Sequence, residues 1–296
     1  MHGRFESPAA VLNSPLPSDL PEQVARALRE DIGPGDITAG LIPARTRARA
    51  HVLCRERAVL CGTAWFDETF RQLDPLVEIR WHFLDGSHAA ADSILCELEG
   101  PARSLLTGER TALNFLQLLS GTASVTQRYV EAVTGTQCRI LDTRKTIPGL
   151  RSAQKYAVRC GGGTNHRLGL YDMVLIKENH IAAAGSIAAA VTSARHDAPG
   201  VRVEVEAETL DQLRQGLDAH ADIILLDNFA LDDVRAAVAL NRSHARPAQL
   251  ECSGGVDLGR LRAIAETGVD YISVGSLTKH ITAIDLSMRI DTIARQ

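Results

Sequence analysis

Eight lysines and arginines stand between positions 139 and 177: Arg139, Arg144, Lys145, Arg151, Lys155, Arg159, Arg167 and Lys177. Only Asp142 and Asp172 oppose them, a local balance of +6. A guanidinium grips a carboxylate or phosphate through two parallel hydrogen bonds, and an ammonium adds a compact charge. Several such groups brought together would bind a polyanion. A solvated charged face is the plainer alternative for a run of charge, and Arg151 and Lys155 read as helix-surface charges. Two glycine loops, SGGV at 253–256 and VGS at 274–276, add a second feature. Glycine lets backbone N–H groups approach a phosphate, and Ser253 and Ser276 contribute hydroxyls. Carboxylates complete the set. Glu204, Glu206 and Glu208 alternate along one run, which puts them on one face of a strand, and Asp227 ends the next run. These acids could hold Mg²⁺ between phosphate oxygens, steady a developing positive charge, or pair with the basic cluster. His166 and His180 each lack a partner histidine and suit a loop role as well as a catalytic one.

The elements that must position these groups are legible from Cys138 onward. Six short β-rich runs each end in polar residues: RILDTRK (139–145), MVLIKEN (173–179), VRVEVEAE (201–208), DIILLDN (222–228), QLECSGG (249–255) and DYISVGS (270–276). With Thr143, Lys177, Glu206, Asp227, Ser253 and Gly275 taken as strand ends, the separations are 34, 29, 21, 26 and 22 residues. Helical patterns such as TLDQLRQGLDAH and LDDVRAAVALN lie between the later runs. Alternation at that spacing means βα units and a parallel sheet. No G-x-G-x-x-G follows the first run, so a dinucleotide-binding reading loses its main support. In a (βα) barrel the strand ends gather on the face where active sites are built, often with phosphate held by the last two loops. Six strands predict a barrel that is incomplete or closed by other elements.

The first third reads as α+β. Residues 1–17 are rich in proline and small residues and predict a loose arm. A helix is expected over 18–31, capped by Ser18 and stopped by GPGD. Strands are expected near 47–53, 76–83 and 94–98, with a helix over 65–73. One or two long helices are expected over 105–133.

Composition narrows the function. The 296 residues are 45% hydrophobic and 23% charged, enough apolar material for a core. A net charge of −4 and 4% aromatics argue against nucleic acid or an anionic membrane as partner. Six scattered cysteines without a C-x-x-C pair suggest reduced thiols. The alanine-rich stretch from Ile181 to Ala194 is too short to span a bilayer. The N-terminal residues lack the apolar core of a secretory signal, and a cytoplasmic location is expected.

The strings GERTALNFLQ (108–117), LDTRKTIPGLR (141–151), KYAVRCGGGTNHRLGLYDMVLIKENH (155–180), VEVE (203–206), LLDN (225–228), ECSGG (251–255) and DYISVG (270–275) occur in order. Together they resemble the quinolinate phosphoribosyltransferases, also called carboxylating nicotinate-nucleotide pyrophosphorylases. The resemblance runs from about Glu30 to the C-terminus. It implies a pentosyltransferase that makes nicotinate mononucleotide, pyrophosphate and carbon dioxide from quinolinate and phosphoribosyl pyrophosphate in NAD biosynthesis, with Mg²⁺. It implies an α/β fold in which an N-terminal α/β sandwich (1–115), joined by a C-terminal helix (279–296), accompanies an open, incomplete TIM-like barrel (116–278). It further implies a homodimer, sometimes assembled into hexamers, whose active sites are shared between subunits. By motif, Arg110 would cross to the neighbouring site. Thr143, Arg144, Lys145, His166, Arg167 and Lys177 would surround quinolinate, while Glu206 and Asp227 would face ribose and metal. Ser253, Gly254, Gly255, Val274, Gly275 and Ser276 would hold the 5′-phosphate. Lys145, Lys177, Glu206 and Asp227 are the expected catalytic residues. The rivals are a Schiff-base aldolase using Lys177, a related phosphoribosyltransferase-like protein, and a non-catalytic sensor.

Overall fold

The computed structural model describes residues 15–294, so most of the arm expected over 1–17 lies outside the described residues. The chain forms two compact units. One runs through Gln127 and takes in 146–162 and the segment from Ser276 onward; the other holds 128–145 and 163–275.

In the first unit, helix α1 (Leu20–Ile32) buries Leu20, Val24 and Leu28 at helical spacing. Its N-cap is Asp19, not the expected Ser18. The Asp19 carboxylate is taken by Gln23 Nε2 and Ser152 Oγ, at 2.8 and 2.9 Å. Strands β1 (Arg47–Cys54) and β2 (Ala58–Val59) lead to helix α2 (Thr63–Leu73). Then come β3 (Glu78–Trp81), β4 (His88–Ala89) and β5 (Ser93–Pro101). A single helix, α3 (Ala102–Ala132), follows. The 115/116 boundary expected between domains therefore falls inside an unbroken helix. Phe66 anchors this core against Phe70 and Trp81, with ring centroids 5.3 and 5.2 Å apart.

The C-terminal segment departs from expectation. Among the described residues no helix fills the segment after Lys279; residues Leu286–Ala294 form strand β12, antiparallel to β1, in a sheet ordered β12-β1-β5-β3. Leu286 and Met288 are buried and Ile290 packs on the same core, while Ser287, Arg289 and Asp291 alternate with them. That period of two belongs to a strand with one buried face. Residues 146–162 also depart, since they group with this unit and not with the barrel. Helix α4 (Arg151–Cys160) sets Ala153, Tyr156 and Ala157 into a cluster with Val24, Trp65 and Leu119.

The second unit carries all six expected strands. They are β6 (Arg139–Leu141), β7 (Val174–Ile176), β8 (Val203–Ala207), β9 (Ile223–Asp227), β10 (Gln249–Ser253) and β11 (Tyr271–Ser273). They form one parallel sheet ordered β6-β11-β10-β9-β8-β7. Among the described residues no pairing joins β6 to β7, so the barrel is open there. Helices α5 (Glu178–Ala184), α6 (Ile187–Asp197), α7 (Leu210–Asp218), α8 (Leu231–Ser243) and α9 (Leu258–Ala265) alternate with the strands, and α10 (Ser276–Lys279) follows β11. Thr209 and Asp257 cap α7 and α9 by accepting from Gln212 N and Arg260 N, each worth about 1 kcal/mol. On β8 the apolar Val203, Val205 and Ala207 share one face and Glu204 and Glu206 the other. Gly216 of α7 lies against Ile224 and Val205, so the helices cover the apolar face. The acidic face is the inner one.

Candidate active site

The inner face gathers its polar groups at the strand C-terminal ends. After β6, Thr143 Oγ1 accepts from the backbone N–H of Lys145 at 3.1 Å. A Cβ placed on Gly275 would sit 3.2 Å from Lys145 Cδ and 3.5 Å from Thr143 Oγ1. The loop after β11 therefore lies directly against Thr143 and Lys145, and Val274 N donates to Leu141 O at 2.9 Å. Ser276 opens the short helix α10.

After β7, Lys177 forms an ion pair with Glu206 from β8. This engages two of the expected catalytic residues with each other. Glu208, expected to share the face of Glu206, lies beyond the end of β8 and is exposed.

After β9, Asp227 Oδ2 accepts from Asn228 Nδ2 at 2.8 Å. Asn228 has φ +56°, a left-handed conformation that asparagine tolerates, and its N–H donates to Ser253 O at 3.0 Å. Gly254 follows with φ +95°, and a Cβ there would lie 2.1 Å from Asn228 Oδ1. Only glycine fits. The loop of Ser253, Gly254 and Gly255 is thus seated on the residue after Asp227. Its backbone runs close to a strand end, as phosphate-binding loops do.

The basic cluster divides. Arg144 and Arg167 are half-buried and near each other. Burial and then the charge of Arg144 lower the Arg167 guanidinium below its usual value. Arg167 also donates to the carbonyl of Met173 at 3.3 Å. Lys145 is exposed. Lys155, expected on a helix surface, is instead 2% exposed, because α4 is packed on nearly every side. Arg151 donates to Thr146 Oγ1 at 3.2 Å. Arg110 is exposed on α3, in the other unit.

Three residues meet behind these cations. His166 Nε2 lies 3.0 Å from a Glu204 oxygen and 3.4 Å from a Glu251 oxygen, with both glutamates essentially without solvent contact. The other ring nitrogen, Nδ1, accepts from Arg167 N at 2.7 Å. Burial works against a charge on the imidazole, and the two carboxylates favour one and raise its pKa. The Arg167 amide opposes them, because an imidazolium would aim a second N–H at the amide hydrogen. Burial and then the neighbouring charge of Glu251 push Glu204 up to about 7, since two buried carboxylates in contact resist joint ionisation. Both nitrogens of His166 thus have neighbours within the protein. Glu251 was not singled out from the sequence, although its place two residues before Ser253 puts it on the same face. Asp142, fully buried, was also missed. It accepts from His166 N and Asn165 Nδ2, at 2.8 and 2.6 Å.

The arrangement offers cations for a compact polyanion, backbone loops for a phosphate and carboxylates at strand ends. Residues 36–120 match the N-terminal domain, and residues 122–289 the C-terminal domain, of the family described as quinolinate phosphoribosyl transferase. The curated probable nicotinate-nucleotide pyrophosphorylase (carboxylating) of Bacillus subtilis is 44% identical over 262 residues, covering 88% of this chain and 90% of its own. The Mycobacterium leprae protein of that name is 42% identical over 274 residues, covering 90% and 95%. The solved nicotinate-nucleotide pyrophosphorylase of Francisella tularensis superposes with a TM-score of 0.90 at 49% identity, over 94% of this chain and 98% of that one. With both of its domains matched and identity sustained along about nine-tenths of its length, the chain belongs to the quinolinate phosphoribosyl transferase family.

Proposed function

We propose that the chain transfers the phosphoribosyl group of phosphoribosyl pyrophosphate to the ring nitrogen of quinolinate, releasing pyrophosphate and carbon dioxide and leaving nicotinate mononucleotide for NAD synthesis. The observation that carries this reading is the meeting of Arg144, Lys145, Arg167 and Lys177 with two glycine loops at one end of one sheet. Arg144 and Arg167, with Lys145 and Thr143, take the two carboxylates of quinolinate. The loops at Ser253–Gly255 and Val274–Ser276 take the 5′-phosphate. His166 adjoins Arg167 and completes the quinolinate-binding group.

As pyrophosphate departs, C1′ gains positive charge, which Glu206 and Asp227 stabilise electrostatically. Lys177 holds Glu206 in place and adds a cation beside the leaving group. The new bond makes the pyridine nitrogen cationic. The adjacent carboxylate then leaves as carbon dioxide, its electron pair drawn toward that nitrogen, and the vacated carbon takes a proton. Positioning and charge neutralisation suffice, with no covalent enzyme intermediate. Asp227 is half-buried at a strand end and, like Glu206, presents oxygen ligands of the kind Mg²⁺ prefers. These two residues would hold the ion together with substrate phosphates. When bound it would neutralise the charge on departing pyrophosphate.

The working unit in this reading is a homodimer, or a hexamer of three such dimers, with Arg110 completing the neighbouring subunit's site. Exposed Leu168, Leu170 and Tyr171 in one unit, and Ile37 and Leu41 in the other, are the kind of apolar surface that a partner covers. No helix among the described residues is long and apolar enough to cross a membrane. The six cysteines are free and buried, which supports a reducing, cytoplasmic setting.

An ultraviolet assay with quinolinate and nicotinate as parallel acceptors tests the function. Quinolinate should be consumed with release of carbon dioxide, only when phosphoribosyl pyrophosphate and Mg²⁺ are both present. Turnover of nicotinate instead, or of neither acceptor, would overturn the reading.

A further inference from the structure

Two carboxylates buried beneath an anion-binding face need a reason. Each would weaken the attraction of the cations above it, and burying a charge is costly unless it is paired. Glu204 comes from β8 and Glu251 from β10, with β9 between them, and both reach the same imidazole nitrogen. That nitrogen belongs to the residue next to Arg167, and the other ring nitrogen takes the Arg167 backbone N–H.

We propose that Glu251, together with Glu204, is a positioning residue that acts through His166 to set the place of Arg167 on the quinolinate-binding face. The ring works as a strut. Glu204 and Glu251 fix it at Nε2, and at Nδ1 it fixes the Arg167 backbone, from which the guanidinium extends to the Met173 carbonyl. Asp142 pins the same turn from the other side through His166 N, and Asp172 accepts from the backbone of Leu168 and Gly169 at 2.7 and 3.0 Å.

A divalent metal held by His166, Glu204 and Glu251, whose ligand atoms all lie within 4.8 Å of one another, is the competing account of this cluster. The amide contact argues against it. An imidazole that binds a metal through Nε2 carries its hydrogen on Nδ1, where the Arg167 N–H already points. With Nδ1 as acceptor the hydrogen lies on Nε2, facing the carboxylates, and the position a metal would take is filled by a proton.

The inference rests on quinolinate binding at the arginines, and the test separates the two claims. Glu251→Ala should raise the KM for quinolinate about tenfold or more, as loss of one member of a buried charged contact does. The KM for phosphoribosyl pyrophosphate should move by less than about twofold, because the phosphate loops are untouched. Glu251→Gln keeps an acceptor toward Nε2–H and should recover most of the loss, to within about threefold of wild type. An equal rise in both KM values, or a fall in kcat with the quinolinate KM unchanged, would overturn the proposal. If Glu251→Ala does not fold, nitrogen NMR of the wild-type histidines decides, with His166→Asn used to assign the signal. The expected signature is an unprotonated Nδ1 and a protonated Nε2, and a protonated Nδ1 or a metal-shifted ring would overturn the proposal. Should the wild type fail to turn over quinolinate, the functional reading falls, while the NMR result still tests the strut.

Discussion

Arg144 is half-buried and close enough to Arg167 for its charge to act on the Arg167 guanidinium, and in the proposed function the two take the acceptor's carboxylates. Removing one side chain should therefore damage acceptor binding far more than folding. Arg144→Ala is expected to raise the KM for quinolinate about 10- to 100-fold, the range for lost charge-assisted hydrogen bonds, with an unchanged far-ultraviolet circular dichroism spectrum. An unaltered KM and kcat would remove Arg144 from the site. Glu204 carries a different expectation, in pH. Its folded value of about 7 lies above the ordinary 4.5, so the folded chain keeps a proton that the unfolded chain has lost. The stabilising contribution is complete below 4.5 and disappears as the pH rises through 7. Relative to Glu204→Gln, the wild type should lose on the order of 3 kcal/mol across that window, read as a falling urea midpoint. Parallel pH curves for the two proteins would contradict the shift. The chemistry at this scale was only half legible. Residue types at the strand ends announced anion binding, but nothing in the order of residues says that Lys177 meets Glu206 or that His166 faces inward.

Helix α3 is crossed closely at Gly121, where a Cβ would stand 2.2 Å from the Thr282 carbonyl oxygen. The segment leading into β12 thus rests on bare helix backbone. Gly121→Ala should cost about 1–3 kcal/mol through overpacking, measured by urea unfolding, and it should weaken the pairing of β12 with β1. Stability equal to wild type would show that the approach yields without strain. The six parallel strands were readable because each is a short apolar run closed by a turn, although only three to five residues of each run prove extended. Strand β12 was not readable in the same way. Ile281, Ile284, Leu286, Met288, Ile290 and Ile293 follow mixed steps of two and three that fit a helix as well as a strand. The vacant edge of β1 decided between them, since an unpaired strand edge calls for a partner. Lys155 misled for a related reason. Helical spacing identifies one apolar stripe but does not reveal a helix that is covered on nearly all sides.

The proposed homodimer, with active sites shared between its subunits, makes a prediction that no single subunit can satisfy. Arg110→Ala and Lys145→Ala should each be nearly inactive alone. Mixed and allowed to exchange subunits, they should recover about a quarter of wild-type activity, the statistical share of intact sites in a twofold dimer. No recovery from a mixture shown to have exchanged would confine each site to one chain.

Spacing along the chain was enough to give the alternation of strand and helix, the polar residues at each strand end and the motifs that mark the family. Side-chain alternation also put Glu204 and Glu206 on one face, although Glu208 lies past the strand's end. Tertiary structure alone decided which of those residues meet. Strand order places β10 beyond β9 from β8, and the inner face then brings Glu204 and Glu251 onto one histidine. It also decided that the C-terminal segment completes the first unit's sheet and that residues 146–162 belong to that unit. Local periodicity sets the direction of a side chain, while its partner is set by contacts between residues far apart in the chain, and those exist only once the chain has folded.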